Sequence, residues 1–342
     1  MNKISLYAPS GRCDMLFGET MRNLGRHCRA ETKVILTDSN VRRLHAGKFP
    51  DCEIVEFEPG EKSKTLESVR AAYEKFLEMG LKRSSMVIGI GGGVVCDIAG
   101  FAAATYLRGI RLCLVPTTLV AQADAAIGGK NGVNLEGYKN IVGTIRQPEL
   151  LLCDFDFLAT LPKRELSCGF AEVVKCGAIA DAKLFSFLEE NFRQALSLEN
   201  DAIEKSVEGA ARVKIGLVQK DERDHGARRT LNFGHTIGHA IEKANLLPHG
   251  EAISIGMAIA AGISVQKGKL AQEDAERLLG LLKKMGLPTS ASIDSEKIIE
   301  AVGKDKKREG GRINMVLLKG IGKAGVFPVE MSELESALND LR

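Results

Sequence analysis

Tryptophan is absent from the 342 residues and tyrosine occurs only four times. With a net charge of +3 there is no aromatic-rich basic stripe of the kind that grips nucleic acid, so any work done by the basic residues must be local. No run of ~18 apolar residues offers a membrane span. The opening stretch MNKISLYAPSGRCDM lacks the apolar centre of a signal peptide, and a soluble, cytoplasmic protein is expected. The eight cysteines (Cys13, Cys28, Cys52, Cys96, Cys113, Cys153, Cys168, Cys176) form no CxxC pair and lie mostly in apolar segments, as reduced core residues do. Repeats, low-complexity tracts and long linkers are missing too. What remains is 44% hydrophobic and 27% charged, the balance of an ordinary globular protein, and a length that suggests two domains of ~150 residues each.

The first half alternates short β-rich runs with helical stretches: KVILTD, CEIVEFE, SSMVIGIGGG, IRLCLVPTT and LLLCD. This predicts a Rossmann-like α/β domain over residues 1–153, a parallel sheet wrapped by helices with ligands at the carboxyl ends of its strands. From Asp154 the pattern turns to long helices, predicting a mainly α-helical domain over 154–342, with RINMVLLKG and GKAGVFPVE as a small hairpin attached to it. A cleft between two closely packed domains is the natural place for chemistry.

Four of the six histidines fall between Asp221 and Glu251. His235 and His239 are four apart in LNFGHTIGHAIEKA, which reads as one helix, and spacing alone makes them a ligand pair. His249 follows Pro248 at the start of the next apolar helix. HExxH is absent, so this is no zinc-protease motif, and a helix pair held by one or two histidine hydrogen bonds is the alternative. Upstream, GFAEVVK sets Glu172 and Lys175 three apart on an otherwise apolar helix, where a buried carboxylate suits a ligand better than a surface ion pair.

In MVIGIGGGVVCD a buried strand runs through three glycines into a helix, offering backbone amides to a pyrophosphate. The strict GxGxxG pattern fails because Val94 stands at its third glycine, and a structural glycine turn is equally open. EPGEKSK gathers polar groups on a glycine turn, and a solvated loop is the alternative there. PTTLVAQADAAIGGKNGVN combines Thr117, Thr118 and Asp124 with Lys130 in an expected loop between glycine pairs, suited to a small anion, with Lys139 and Asn140 close behind. Lys214, Arg228 with Asn232, and Lys306 with Lys307 add cations whose number implies a substrate with two or more negative charges.

Taken together, GGGVVCDIAGF, RGIRLCLVPTTLVAQADAAIGGKNGVN, YKNIVGTI, LPKRELSCGFAEVVK, DERDHGARRTLNFGHTIGHAIE, HGEA and DKK resemble the 3-dehydroquinate synthases, in family order from about Glu58 to Lys307. The resemblance implies conversion of 3-deoxy-D-arabino-heptulosonate 7-phosphate to 3-dehydroquinate and phosphate, with NAD taking a hydride and later returning it. It also implies a zinc or cobalt ion on Glu172, His235 and His249, which makes His239 a substrate-facing residue and overrules the pairing by spacing. By the same resemblance NAD would lie against Asp38 and Asn40, Pro59, Gly60, Glu61, Lys62, Ser63 and Lys64, the turn Gly93, Val94, Val95, Cys96 and Asp97, Thr117 and Thr118, Lys130, Lys139, and the segment Phe157, Leu158, Ala159 and Thr160. Substrate would meet Asp124, Lys130, Asn140, Lys175, Lys214, Arg228, Asn232, His239 and Lys306, while Arg108 of YLRG would serve the neighbouring subunit of a homodimer.

Three positions depart from the family pattern: Asn131 stands for Thr, Ala125 and Ala126 for a Ser pair, and Asp224 for Glu. None is a metal ligand or a site cation. Three rivals share features of the chain. A metal- and NAD-dependent polyol dehydrogenase would not need the cations Lys130, Lys175, Lys214 and Arg228; a sister sugar phosphate cyclase is disfavoured by GGKNGVN with Asn140 and His239; a non-catalytic zinc or nucleotide binder would not need the whole residue set.

Overall fold

A computed structural model describes residues 1–243, 247–291, 295–303, 308–309 and 312–339. The chain divides into two compact units, Met1–Leu161 and Pro162–Arg342.

The first unit is built on a seven-stranded sheet of β1 (Asn2–Ala8), β2 (Gly11–Phe17), β3 (Lys33–Asp38), β4 (Glu53–Phe57), β5 (Met86–Gly91), β6 (Arg111–Pro116) and, after a separate hairpin of β7 (Lys130–Leu135) and β8 (Tyr138–Ile145), β9 (Leu150–Cys153). The strands are ordered β1-β2-β9-β6-β5-β3-β4, all parallel except β1, which pairs antiparallel with β2 at the edge. β5 is buried at all six residues, as a strand covered on both faces must be. Leu16, Ile35, Ile88, Ile90, Val115, Leu152 and Phe157 fuse into one core. All eight cysteines are free, and seven of them are buried.

Chain direction across this sheet reverses between β3 and β5, since β4 lies outside β3 while β6 and β9 lie beyond β5. In parallel sheets a crevice opens at the carboxyl ends of the two strands flanking such a reversal. Here those ends are Asp38 and the Gly91–Gly93 turn. The helices of this unit are α1 (Leu24–His27), α2 (Ser39–His45), α3 (Leu66–Glu78) and α4 (Gly93–Thr105). Asp38 caps α2 by accepting from the Val41 amide at 3.0 Å. Gly92 gives α4 no such side-chain cap, so amides of its first turn are left for an anion.

The expected loop around Lys130 is instead a strand. Glu136 and Gly137, both at positive φ (49° and 76°), make the tight turn that folds Lys130–Ile145 back on itself. The division between units also falls later than the change of sequence pattern at Asp154. Phe157 is fully buried in the first unit's core, and Asp154 accepts from the Met21 amide at 2.8 Å, which keeps the 154–161 stretch there.

The second unit holds α5 (Lys163–Ala180), α6 (Ala182–Leu196), α7 (Asn200–Lys220), α8 (His235–Lys243), α9 (His249–Gln266), α10 (Gln272–Lys284), α11 (Ser295–Gly303) and α12 (Met331–Asn339). The hairpin expected near the end is β11 (Arg312–Gly320) with β12 (Lys323–Glu330), and β10 (Arg308–Glu309) adds a short third strand. LNFGHTIGHAIEKA is not one helix, because a short turn over Ala227–Asn232 stops before Gly234, whose φ is 79°. α9 runs close beneath: a Cβ at Gly234 would stand 2.8 Å from Ile253 O, and one at Gly256 2.0 Å from Gly234 O. Gly250, at the start of α9, touches α5 at backbone distance, where a Cβ would lie 2.3 Å from Cys168 Cα.

Candidate active-site residues

These close approaches seat the start of α9 one helical turn from Glu172 on α5, and the start of α8 beside it. Glu172 is wholly buried. His249 Nε2 lies 3.1 Å from Glu172 Oε1 and His235 Nε2 lies 3.6 Å from the same oxygen. The far nitrogens are both engaged, His235 Nδ1 donating to Phe233 O at 3.1 Å and His249 Nδ1 to Glu242 Oε2 at 3.2 Å. Fixing Nδ1 in this way turns Nε2 toward a common point, as outer partners of metal-bound imidazoles do.

Burial alone would raise the Glu172 carboxyl, but Lys175, His235 and His249 outweigh it and hold the group well below its usual range. Burial, with the Lys175 ammonium, pushes His235 down to about 3. Burial acts the same way on His249, but hydrogen bonds to Glu172 and Glu242 lift it to about 10. Glu172 is thus a carboxylate gathered among cations. Glu172, His235 and His249 each offer one ligand atom, all within 4.8 Å of one another. One oxygen and two nitrogens suit a borderline divalent ion such as zinc or cobalt, and the donor set fits. The pair suggested by spacing is not this group: His239 is exposed, its ring 5.1 Å from that of His235.

Lys175 is buried and pairs with Glu172. Lys214, on α7, and Arg228 are buried as well, and Arg228 donates to Glu222 O at 2.6 Å. The Arg228 loop is folded by Asp221, whose carboxylate accepts from the amides of His225, Gly226 and Arg228 at 3.0, 2.7 and 3.1 Å. Asn232 is half-buried at the end of that loop. Lys306 and Lys307 lie outside the described residues. Sequence reasoning missed Glu242, three residues beyond His239 on α8, because its partner His249 sits on the next helix.

In the first unit, Lys64 is buried and paired with Asp97 on α4. Asn134 donates to Glu61 Oε1 at 2.8 Å and accepts from the Asn140 amide at 2.9 Å, while its own amide donates to Lys64 O. The 59–64 turn and the hairpin are thereby tied together through Asn134, which the sequence did not single out, and Lys64 carries the tie on to α4. Gly93 and Val94 are half-buried on the same turn as Asp97, and Thr118 packs on Gly92. Pro59, Gly60, Lys62, Lys130, Lys139, Asn40 and Ala159 are exposed, Asp38 and Ser63 half-buried. Val95, Cys96, Phe157 and Leu158 turn their side chains into the core, so a ligand could reach only their backbone. Thr117 is buried with its amide on Gly91 O, and Asp124 lies in a π-wound turn, Ala121–Ala125. Thr160 holds His45 Nε2 at 2.9 Å.

Asn131, one of the three departures, has a role in this fold. Its buried amide donates to Gly129 O at 2.8 Å and Arg146 O at 3.0 Å, and it fills the space above Gly100 on α4. Thr has no nitrogen to bridge two carbonyls. Nothing in the structure accounts for Asp224.

Compared with known proteins, residues 54–168 match the family described as 3-dehydroquinate synthase N-terminal and residues 169–308 that described as 3-dehydroquinate synthase C-terminal. The 3-dehydroquinate synthase of Thermoanaerobacter pseudethanolicus is 42% identical over 325 residues, covering 92% of this chain and 91% of that protein. Among solved structures, the 2-epi-5-epi-valiolone synthase of Streptomyces hygroscopicus with NAD+ and Zn2+ bound aligns with a TM-score of 0.89 at 30% identity, over 100% of this chain and 99% of that one. A 2-deoxy-scyllo-inosose synthase complexed with carbaglucose-6-phosphate, NAD+ and Co2+ aligns with a TM-score of 0.90 at 26% identity, over the full length of both.

Proposed function

The chain belongs to the 3-dehydroquinate synthase family, and from that premise we propose how its residues carry the conversion of 3-deoxy-D-arabino-heptulosonate 7-phosphate to 3-dehydroquinate and phosphate. The observation that supports the reading best is the convergence of Glu172, His235 and His249 beside the buried cation Lys175. A divalent ion on that triad would act as a Lewis acid toward substrate oxygens, and NAD would take up a hydride and give it back, so the reaction has no net redox change.

Everything else falls to the chain's own side chains. Lys175, Lys214 and Arg228 are buried cations in one unit and suit an anionic sugar acid, with Asn232 orienting it. Lys130, Asn140 and Lys175, with Arg108 from a second copy, would hold the phosphate so that it can serve as its own base during elimination, and Lys306 of the same chain would also meet the substrate. His239, exposed beside His235, and Asp124 are the proton carriers. The cofactor would rest on the amides of Gly93 and Val94, with Lys64 and Asp97 fixing the neighbouring turn. Asp38 and Asn40 stand at the end of β3, where the sheet's crevice opens.

A homodimer is part of the reading: Leu107, Tyr138 and Ile141 are large apolar side chains left exposed, and a second copy would cover them. So is a cytoplasmic location; among the described residues no helix is long and apolar enough to cross a membrane. The test is phosphate release from 3-deoxy-D-arabino-heptulosonate 7-phosphate by metal-loaded protein with catalytic NAD. Phosphate and 3-dehydroquinate should form together with no accumulation of NADH. Silence from protein shown to bind NAD and metal would move the assignment to a sister cyclase acting on another sugar phosphate.

A further inference from the structure

Arg146 has no part in the reading above, yet it packs against a turn of the first unit that carries three successive residues at positive φ. The turn Tyr106–Gly109 follows α4 and places Leu107, Arg108 and Gly109 in succession at φ of 50°, 62° and 123°. Leu and Arg disfavour this left-handed region because Cβ crowds the backbone, so the turn persists only where its surroundings impose it. The Ile110 amide donates to Ala103 O at 2.8 Å and Arg83 Nε to Leu107 O at 3.3 Å, and Arg146 adds to that constraint from the side of the Lys130 strand. Its Nη2 donates to Ile110 O at 2.9 Å, just after the turn, and its Nη1 reaches Ala103 O at 3.5 Å, just before it. The guanidinium fills the space above Gly109, where a Cβ would stand 1.8 Å from Nη1. At its other end the Arg146 backbone is locked to the strand that begins at Lys130: its amide donates to Gly129 O at 2.8 Å and its carbonyl accepts from Asn131 Nδ2 at 3.0 Å. Arg108 itself is exposed.

We infer that Arg146 is a positioning residue for Arg108, a guanidinium brace that sets the turn presenting Arg108 in register with the Lys130 strand. The inference rests on the reading that Arg108 meets the substrate's phosphate. One fork of donors closes both ends of the turn at once, which an ammonium cannot do.

The test compares Arg108→Ala, Arg146→Ala, Arg146→Lys and the double alanine variant, measuring kcat and KM for the sugar phosphate and, separately, the dissociation constant for NAD. Arg108→Ala and Arg146→Ala should each lower kcat/KM for the sugar phosphate, by up to roughly 100-fold for a misplaced group. The double variant should be no worse than the worse single one, because both changes remove one contact, and NAD binding should not move. Arg146→Lys keeps the stem and the charge, so it folds even where the alanine variant does not, and should show the same selective defect. Additive losses, an equal fall in NAD affinity, or full activity of the Arg146 variants beside an impaired Arg108→Ala would overturn the brace. Full activity of Arg108→Ala would instead remove the reading of Arg108, and the brace with it.

Discussion

Around Glu172 the protein supplies its own partners: the Lys175 ammonium on one oxygen, and His249 with the neutral ring of His235 on the other. A buried carboxylate with this company is prepared for a divalent cation, and the outer hydrogen bonds decide how well the imidazoles receive it. Glu242→Gln should therefore weaken divalent binding by about 10- to 100-fold while Glu172, His235 and His249 stay in place. Competition with a chromophoric chelator would read this directly, and unchanged affinity would show that Glu242 does not orient His249. Glu172 was legible in the sequence because an acid inside an apolar helix needs a reason to be there. Glu242 was not, since its charged neighbours on the helix give no hint of a histidine arriving from another element. The spacing of His235 and His239 pointed to a shared face, but only contacts between helices decide which ring meets the carboxylate.

Helix contacts here are set by small residues. Gly250→Ala would drive a methyl into the Cys168 backbone and push the start of α9 off α5, carrying His249 with it. The expected cost is about 1–3 kcal/mol in unfolding free energy together with weaker metal binding. Denaturant titration and metal titration of the same variant check both, and a stable variant with parental affinity would contradict the packing argument. The loop before α8 depends on Asp221, whose burial would raise its carboxyl but whose three backbone amide donors lower it from the usual value. A depressed folded value means that its stabilisation is present above the ordinary carboxylate range and lost as pH falls through the folded value. The stability gap between the parent and Asp221→Asn should accordingly narrow in acid, measured by urea unfolding across pH; a gap constant to the most acidic point would refute it. Of the elements themselves, β3, β5, β6 and β9 were legible because strands buried on both faces read as unbroken apolar runs. β1 and β2 were not: NKISLYA and GRCDMLF mix charged and polar residues with apolar ones, as a hairpin at a sheet edge does. The Lys130 hairpin, rich in glycine and asparagine, carries the composition of a loop and becomes a strand pair through its partner.

For the molecule as a whole, His235 and His249 are held by Phe233 and Glu242, and Ile237, Ile241 and Ile253 are buried apolar side chains of α8 and α9. Chelation should abolish turnover and leave the far-UV circular dichroism intact, with only the modest fall in melting temperature that loss of a bound ligand brings. Unfolding on chelation would make the metal structural instead. The strand order of the first unit bears on how the chain is made. β1 and β2 leave the ribosome before the other strands of this sheet, yet they join it only through β9, which inserts between β2 and β6. Until residues 150–153 emerge, the early hairpin has no sheet to dock on and β6 keeps an open edge of unpaired amides. A nascent chain stalled before Leu150 would therefore be the species most in need of a chaperone, and one stalled beyond Leu161 could already close its sheet.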